Sequence, residues 1–281
     1  MSNSIGAGFR YMFYGVTGSS GYLIGVTTSG VAKGSVVELA RLEGARSVPV
    51  GVAEPERVTV SGDDQPLVQF QFDAEGLPNG VIETAVFDES FNALCQGTSI
   101  ETLGNSSVSV LQPAQLESPD MCMFFARRAK NWAPGVRGVK AWETVIVPKA
   151  QVVPLFTTIN QRAFDPYRWS YVASKTDTKP WGATFTELLN GTTQSPFFRV
   201  NSDNPPMAAV GQGDGATDTF TLPHAPIVVS SVARLVVLVG GLVKQLTTHY
   251  TISGQSLVFV TPPGDGIYFH CYYEVDESTL D

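Results

Sequence analysis

Three histidines have the widest chemical range of any side chains in this sequence. His224, His249 and His270 share no regular spacing, but His249 and His270 fall in strand-like segments that folding could bring together. Cys271 adjoins His270, yet neighbouring residues of a strand point to opposite faces. Because a metal site needs a third ligand and supporting hydrogen bonds, the pattern favours structural histidines.

Paired carboxylates are the second group that could do chemistry, as acid and base of a glycosidase. Asp63-Asp64 follow Gly62, and Asp73 and Glu75 precede Gly76, so both pairs look like turns. A glycosidase places its two carboxyl groups across a cleft. The sequence contains no nucleophile elbow, HExxH or P-loop. We therefore predict no enzyme and no cofactor, and assign no catalytic, cofactor-binding or metal residues.

A glycine-rich run at Gly211–Gly215 superficially resembles a phosphate-binding loop. That motif needs a strand before it and a helix after it. Here Asn204-Pro205-Pro206 precedes the run and a strand-like segment, Asp218–Leu222, follows it. The composition of Asn201–Asp218 therefore predicts a linker.

A basic run, Arg127-Arg128-Ala129-Lys130, is followed by Trp132. Basic and aromatic residues together can contact nucleic acid, but a solvated strand end or an intersubunit salt-bridge patch is the favoured interpretation. The chain carries 18 basic and 26 acidic residues, a formal charge of −8. Phosphate binding needs clustered Lys and Arg, so the sequence argues against nucleic-acid binding.

Composition indicates an all-β fold to hold these residues. Charged residues make up only 16% of the chain, while Gly (27), Pro (18) and aromatics (10%) favour strands joined by turns. Met1–Arg10 has no apolar core of a secretory signal, and no apolar run is long enough to span a membrane. The odd, widely spaced Cys95, Cys122 and Cys271 are predicted to be buried thiols in a reducing compartment.

The pattern of apolar residues predicts strands around one short helix. Asp88 starts the helix and Gly97 ends it, and Ser35–Gly44 fits a helix and a strand equally. Ser2–Gly34 is predicted to be an arm or long loop with aromatic anchors. The predicted strands of this half include Val68–Phe72, Val81–Val86, Val108–Val110, Met121–Ala126 (apolar on both faces), Gly138–Val147 and Tyr167–Val172.

A domain boundary is predicted near residue 208. Residues 209–281 are predicted to form a small β-sandwich, with tight turns at Gly240-Gly241 and Ser253-Gly254-Gln255. The charge divides unevenly: residues 204–281 hold two bases and seven acids, 2 − 7 = −5, and residues 1–203 hold 16 − 19 = −3. Residues 1–208 form the predicted larger assembly domain with its N-terminal arm.

Residues 211–275 resemble a small β-sandwich module found in structural proteins of bacteriophages. The resemblance is carried by Gly213–Pro223, Leu235–Gly241, His249–Gly254 and Pro262–Asp265. It implies an immunoglobulin-like sandwich of the kind that decorates tails, fibres or heads.

Residues 35–200 resemble a tail tube protein of a long-tailed phage, through Arg41–Gly44, Val58–Asp64 and Pro180-Trp181-Gly182. The resemblance implies a β-barrel or sandwich domain with one short helix. It further implies hexameric rings stacked around a DNA channel for genome ejection. The implied partners are the tape measure, tail terminator and baseplate proteins, with DNA passing unbound through the lumen and no membrane contact. The implied location is the virion, assembled in the host cytoplasm.

Physical features agree with this expectation in part. An acidic tube repels DNA, and two-sided apolar strands need covering partners. The alternatives are a head decoration, baseplate or fibre protein, or a lytic enzyme. Another is a carbohydrate-binding host-attachment module that uses Trp169, Trp181 or Tyr272 as stacking platforms.

Overall fold

The structure is a computed structural model. It describes residues 9–47, 57–62, 65–71, 79–98, 100–103, 106–109, 118–128, 142–155, 166–182, 195–229 and 232–280. These residues form antiparallel sheets with one short α-helix, and no sheet among them closes into a barrel. The predicted all-β fold is confirmed.

The described residues up to Ser202, called the first half here, form fourteen strands and the helix. They are β1 (Phe9–Thr17), β2 (Leu23–Gly25), β3 (Ser35–Glu38), β4 (Ala40–Arg41), β5 (Ala45–Ser47), β6 (Arg57–Gly62), β7 (Gln65–Gln71), β8 (Asn79–Thr84), α1 (Glu89–Cys95), β9 (Ile100–Leu103), β10 (Ser106–Ser109), β11 (Met121–Arg128), β12 (Trp142–Pro154), β13 (Tyr167–Ala173) and β14 (Phe198–Ser202).

The described residues from Pro206 onward, called the second half, form nine strands and a final 3₁₀ turn at Glu277–Thr279. They are β15 (Pro206–Gln212), β16 (Thr219–Thr221), β17 (Val228–Val229), β18 (Val232–Ala233), β19 (Leu235–Val239), β20 (Leu242–Lys244), β21 (Tyr250–Ser253), β22 (Ser256–Phe259) and β23 (Tyr268–Glu274).

A nine-stranded sheet organises the first half, with the order β2-β1-β11-β12-β13-β8-β5 and with β14 and β4 joined to β12 and β1. Strand β11 lies inside this sheet, between β1 and β12, and its residues Met121–Ala126 are all buried. Apolar side chains on both faces are what a strand needs when both faces are covered. The prediction of a central strand here is confirmed.

The predicted N-terminal arm is wrong for residues 9–17. Residues 9–17 form β1, which pairs with β11 from Phe9↔Arg127 to Val16↔Met121. Tyr11, Met12 and Phe13 are buried. The sequence predicts that these aromatics anchor a loop, but they are core side chains on both faces of a strand inside the sheet. A strand that is buried on both faces lacks the alternation of polar and apolar residues that identifies most strands.

The predicted helix is confirmed as α1. The Asp88 carboxylate accepts a hydrogen bond from the Phe91 amide at 2.9 Å, as an N-cap does. Gly97 follows the helix in a left-handed conformation. Ser35–Gly44 forms strands β3 and β4 and no helix, and the Leu39 amide donates to the Ala208 carbonyl at 3.1 Å.

The described C-terminal part contains a short β17-β18 pair and two larger sheets, one with the order β15-β23-β19-β20 and the other β16-β22-β21. Phe220, Phe259 and Phe269 bring them together, with ring centroids 4.6 to 5.8 Å apart. Gly240 and Gly241 have φ of 56° and 80°, which the two-residue turn between β19 and β20 requires. The predicted turn is confirmed.

The linker interpretation of Asn201–Asp218 is wrong for residues 206–212. They form β15, which is buried and pairs with β23 from Pro206↔Glu274 to Gln212↔Tyr268. The predicted boundary at residue 208 therefore falls inside a strand. A single buried cluster also joins side chains of both halves, among them Phe13, Phe124, Ala208 and Cys271.

Several predictions fall on residues outside the described ranges. They concern Asp63-Asp64, Phe72, Asp73, Glu75, Val110, Ala129, Lys130, Trp132 and residues 138–141. The neighbouring backbone of β6–β7 and β9–β10 forms two antiparallel hairpins.

Candidate functional site

A buried polar cluster joins the two halves around Glu38, at the end of β3. The carboxylate accepts hydrogen bonds from the His224 amide at 3.2 Å and from the Tyr273 hydroxyl. His224 Nδ1 lies 2.6 Å from Glu38 Oε2, while its Nε2 lies 3.2 Å from the Thr279 carbonyl. Both ring nitrogens of His224 therefore face oxygen atoms of the chain.

Burial controls the electrostatics of this cluster. Desolvation raises the pKa of Glu38, and the hydrogen bond from His224 partly opposes that shift. The cluster ties β3 to β23, to the loop after β16 and to the C-terminal 3₁₀ turn. Such a satisfied network gives the contact between the halves a defined register, and it does not resemble an open catalytic site.

The structure separates the three histidines. His224 belongs to the Glu38 cluster, while His249 is exposed and accepts a hydrogen bond from the Gln245 amide at 3.2 Å. His270 is buried, and its Nε2 donates to the Leu23 carbonyl at 2.8 Å. Burial lowers the pKa of His270 to about 4. Among the described residues, no three His, Cys, Asp or Glu side chains lie together as a metal site.

The three cysteines are buried and unpaired, as the sequence predicts. Burial raises the pKa of Cys122 to about 12 and also raises the pKa of Cys95 and Cys271. A thiol must ionise to act as a nucleophile or metal ligand. These cysteines are therefore core residues.

The glycine-rich run is neither a linker nor a phosphate loop. The Gly213 amide donates to the Ile267 carbonyl at 2.9 Å, and the Gly215 amide donates to the Pro263 carbonyl at 3.1 Å. The Asp214 carboxylate accepts hydrogen bonds from the Thr217 hydroxyl at 2.6 Å and from the Thr217 and Ala216 amides at 2.6 and 2.9 Å, and these bonds lower its pKa to about 2. The amides that a phosphate would need are already used.

The described part of the basic run forms ion pairs within the chain. Arg127 lies 2.6 Å from Glu143, and Arg128 lies 2.7 Å from Glu277. Both arginine side chains are exposed at the end of β11. These contacts agree with the interpretation of the basic run as a solvated strand end. The ion pairs of Arg127 and Arg128 lie within the chain, whereas the alternative placed them between subunits.

The aromatics suggested as sugar-stacking platforms are not available at the surface. Trp169 and Trp181 are buried, and Trp181 packs on Tyr272 with ring centroids 4.4 Å apart. The Tyr272 hydroxyl is itself buried. A stacking platform needs an exposed ring face, so this part of the carbohydrate-binding alternative is wrong.

An uncovered apolar face lies on β12 and β13. Val153 and Val172 are 54% and 47% exposed, and they project from the same side of the paired strands, beside Gln151 and Ser170. Leu155 extends this face just beyond β12 and is also exposed. We name Val153, Leu155 and Val172 the assembly face, after the role that we propose for it. The sequence does not predict this face, because apolar residues occur on both sides of these strands. Only the structure shows that Val152 and Tyr171 lie in the core, which leaves the opposite side exposed.

No protein-family model matches the chain. No curated protein is similar to it in sequence. Among the described residues, no helix is long and apolar enough to cross a membrane.

Proposed function

We propose that this chain is a structural virion protein, the major tail tube subunit of a long-tailed phage. In this proposal, copies assemble through the assembly face into stacked hexameric rings that conduct DNA. The observation that carries the proposal is the exposed apolar face formed by Val153, Leu155 and Val172. Uncovered apolar sheet faces are typical of surfaces that bind another chain.

Charge supports the same proposal. The chain has a formal charge of −8, and the described basic residues at the end of β11 are held in ion pairs with Glu143 and Glu277. A channel of acidic subunits repels the phosphate backbone, so DNA slides without being gripped. The resemblance of residues 35–200 to tail tube proteins agrees with this role.

The folded chain changes which residues carry the argument for self-association. Met121–Ala126 is covered on both edges by β1 and β12 of the same chain, so it needs no partner. Residues 11–17 of the predicted arm are likewise buried within the chain. The assembly face takes their place, because its valines lie exposed on the sheet in the single chain.

Electron microscopy of the purified full chain tests the proposal, with light scattering to count subunits. We expect rings or tubes from the wild type. Val172→Asp places a charge on the assembly face and should leave folded monomers. Val260→Asp is the matched control, because Val260 is also an exposed valine but lies in the C-terminal part; it should assemble normally.

A wild type that stays monomeric at high concentration would contradict the proposal. Trimers would favour a fibre protein instead. If Val172→Asp assembles as well as the control, the assembly face is not the contact surface. Far-UV circular dichroism of each variant separates lost assembly from lost folding.

A further inference from the structure

A small pocket opens at the edge of the two C-terminal sheets, where β19 and β20 of one sheet meet the end of β22 of the other. Its volume is about 210 Å³, smaller than the 300 Å³ or more typical of drug-sized ligands. The apolar lining includes Val239, Phe259 and Pro262, and the polar lining includes Lys244, Thr248 and His249. This division of apolar and polar walls is typical of a ligand site.

Lys244 gives the pocket a positive charge in an acidic setting. Residues 204–281 contain two basic residues, Lys244 and Arg234. Arg234 pairs with Asp203 at 2.7 Å and with Glu274 at 3.0 Å. Within the described chain, Lys244 forms no ion pair. A half-buried lysine beside an apolar wall favours an anionic ligand group.

His249 supplies a hydrogen-bond donor with a defined tautomer. The Gln245 backbone amide donates to His249 Nδ1 at 3.2 Å, so this nitrogen carries no proton. A neutral ring therefore bears its proton on Nε2, which can donate to an anion. The Thr248 hydroxyl is a second donor on the same wall.

The turn that carries these donors is strained. Thr247 has a φ of 69° and is the one non-glycine residue with a positive φ among those described. Two hydrogen bonds fix the turn, from the Thr247 amide to the Tyr250 carbonyl at 2.7 Å and from the His249 amide to the Gln245 carbonyl at 2.9 Å. Strain of this kind collects at ligand sites, where it holds side chains in place.

We propose that this pocket binds a small carboxylate attached to a flat apolar ring. The carboxylate lies against Lys244 and accepts hydrogen bonds from His249 and Thr248, while the ring packs on Val239, Phe259 and Pro262. This binding site is independent of the assembly face. It gives the C-terminal part a ligand-binding role beyond its place in an assembly.

Ligand-observed saturation-transfer NMR tests the proposal with sodium benzoate as the probe, and it works on monomers and assemblies alike. We expect saturable binding of benzoate and much weaker binding of benzamide, which has the same ring but no charge. Lys244→Gln should weaken benzoate binding about fivefold, the effect of losing one half-exposed ion pair. Lys175→Gln is the control, because it removes an exposed cation that does not line the pocket. It should bind benzoate like the wild type.

Three outcomes would overturn the proposal. The first is that benzoate binding does not saturate, or that the Lys244→Gln variant binds benzoate as well as the wild type does. The second is equal binding of benzamide, which would remove the role of charge. The third is binding of inorganic phosphate as tight as that of benzoate, which would leave no role for the apolar wall.

Discussion

His270 makes the stability of the protein depend on pH in a defined direction. Burial lowers its pKa from 6.5 to about 4, although the hydrogen bond to the Leu23 carbonyl opposes the shift. The unfolded chain therefore takes up a proton at a higher pH than the folded chain. The stabilising contribution of neutral His270 is complete above pH 6.5 and is lost as the pH falls toward 4. Its full size is about 3 kcal/mol.

Urea denaturation between pH 4 and pH 7 tests this prediction. His270→Gln retains a donor for the Leu23 carbonyl but cannot titrate, so we expect its free energy of unfolding to fall less steeply with acid than that of the wild type. His270→Leu loses the hydrogen bond as well. It should be less stable at pH 7 yet show the same shallow slope. A variant slope equal to that of the wild type would contradict the prediction.

At the scale of elements, glycines 211 and 213 let β15 and the following loop pack closely. A Cβ at Gly213 would lie 2.3 Å from the Pro263 carbonyl oxygen and 2.5 Å from that of Gly264. Both contacts are with backbone, which cannot move aside as a side chain can. We therefore expect Gly213→Ala to lower the free energy of unfolding by about 2 kcal/mol or more.

Gly264→Ala is the control for that substitution. Its added Cβ would meet only the Ile267 side chain, at 3.3 Å, and the cost should be well below that of Gly213→Ala. Chemical denaturation of both variants measures the difference. Equal stability of Gly213→Ala and the wild type would mean that the run is the loose segment its composition suggests.

The elements that local sequence predicts are those fixed by local interactions. Asp88 and Gly97 mark α1, and Gly240-Gly241 mark a hairpin, because caps and tight turns require particular residues at particular positions. Strands β1 and β15 escaped prediction. Their partners are distant in sequence, as in Ala209↔Cys271, and both are buried too completely to show alternation.

The candidate sites were harder to predict than the fold for the same reason. The Glu38 cluster joins residues 38, 224 and 273, and the pocket joins segments from β19 to the residues after β22. No regular spacing of residues in the sequence predicts either the cluster or the pocket. Sequence reasoning did establish the negative character of residues 204–281, and this acidity makes the unpaired Lys244 notable.

For the whole molecule, the contacts between the halves bear on whether the chain unfolds in one step or two. The sequence predicts two domains, yet buried side chains of both halves form one cluster. His270 and Leu23 are hydrogen-bonded across the contact, and Lys33 pairs with Asp265 at 2.7 Å. Elements that share a buried core unfold together, because neither keeps its apolar surface covered alone.

We therefore expect a single calorimetric transition whose calorimetric and van't Hoff enthalpies agree. A fragment of residues 1–208 ends inside β15 and leaves Phe13 and Phe124 without the C-terminal side chains that cover them. It should be insoluble or molten, whereas residues 1–208 co-expressed with 209–281 should recover soluble protein. Limited proteolysis of the intact chain should spare residues 206–212. Two separate transitions, or a folded 1–208 fragment, would restore the division into independent domains, since only a core closed within each half can survive its separation.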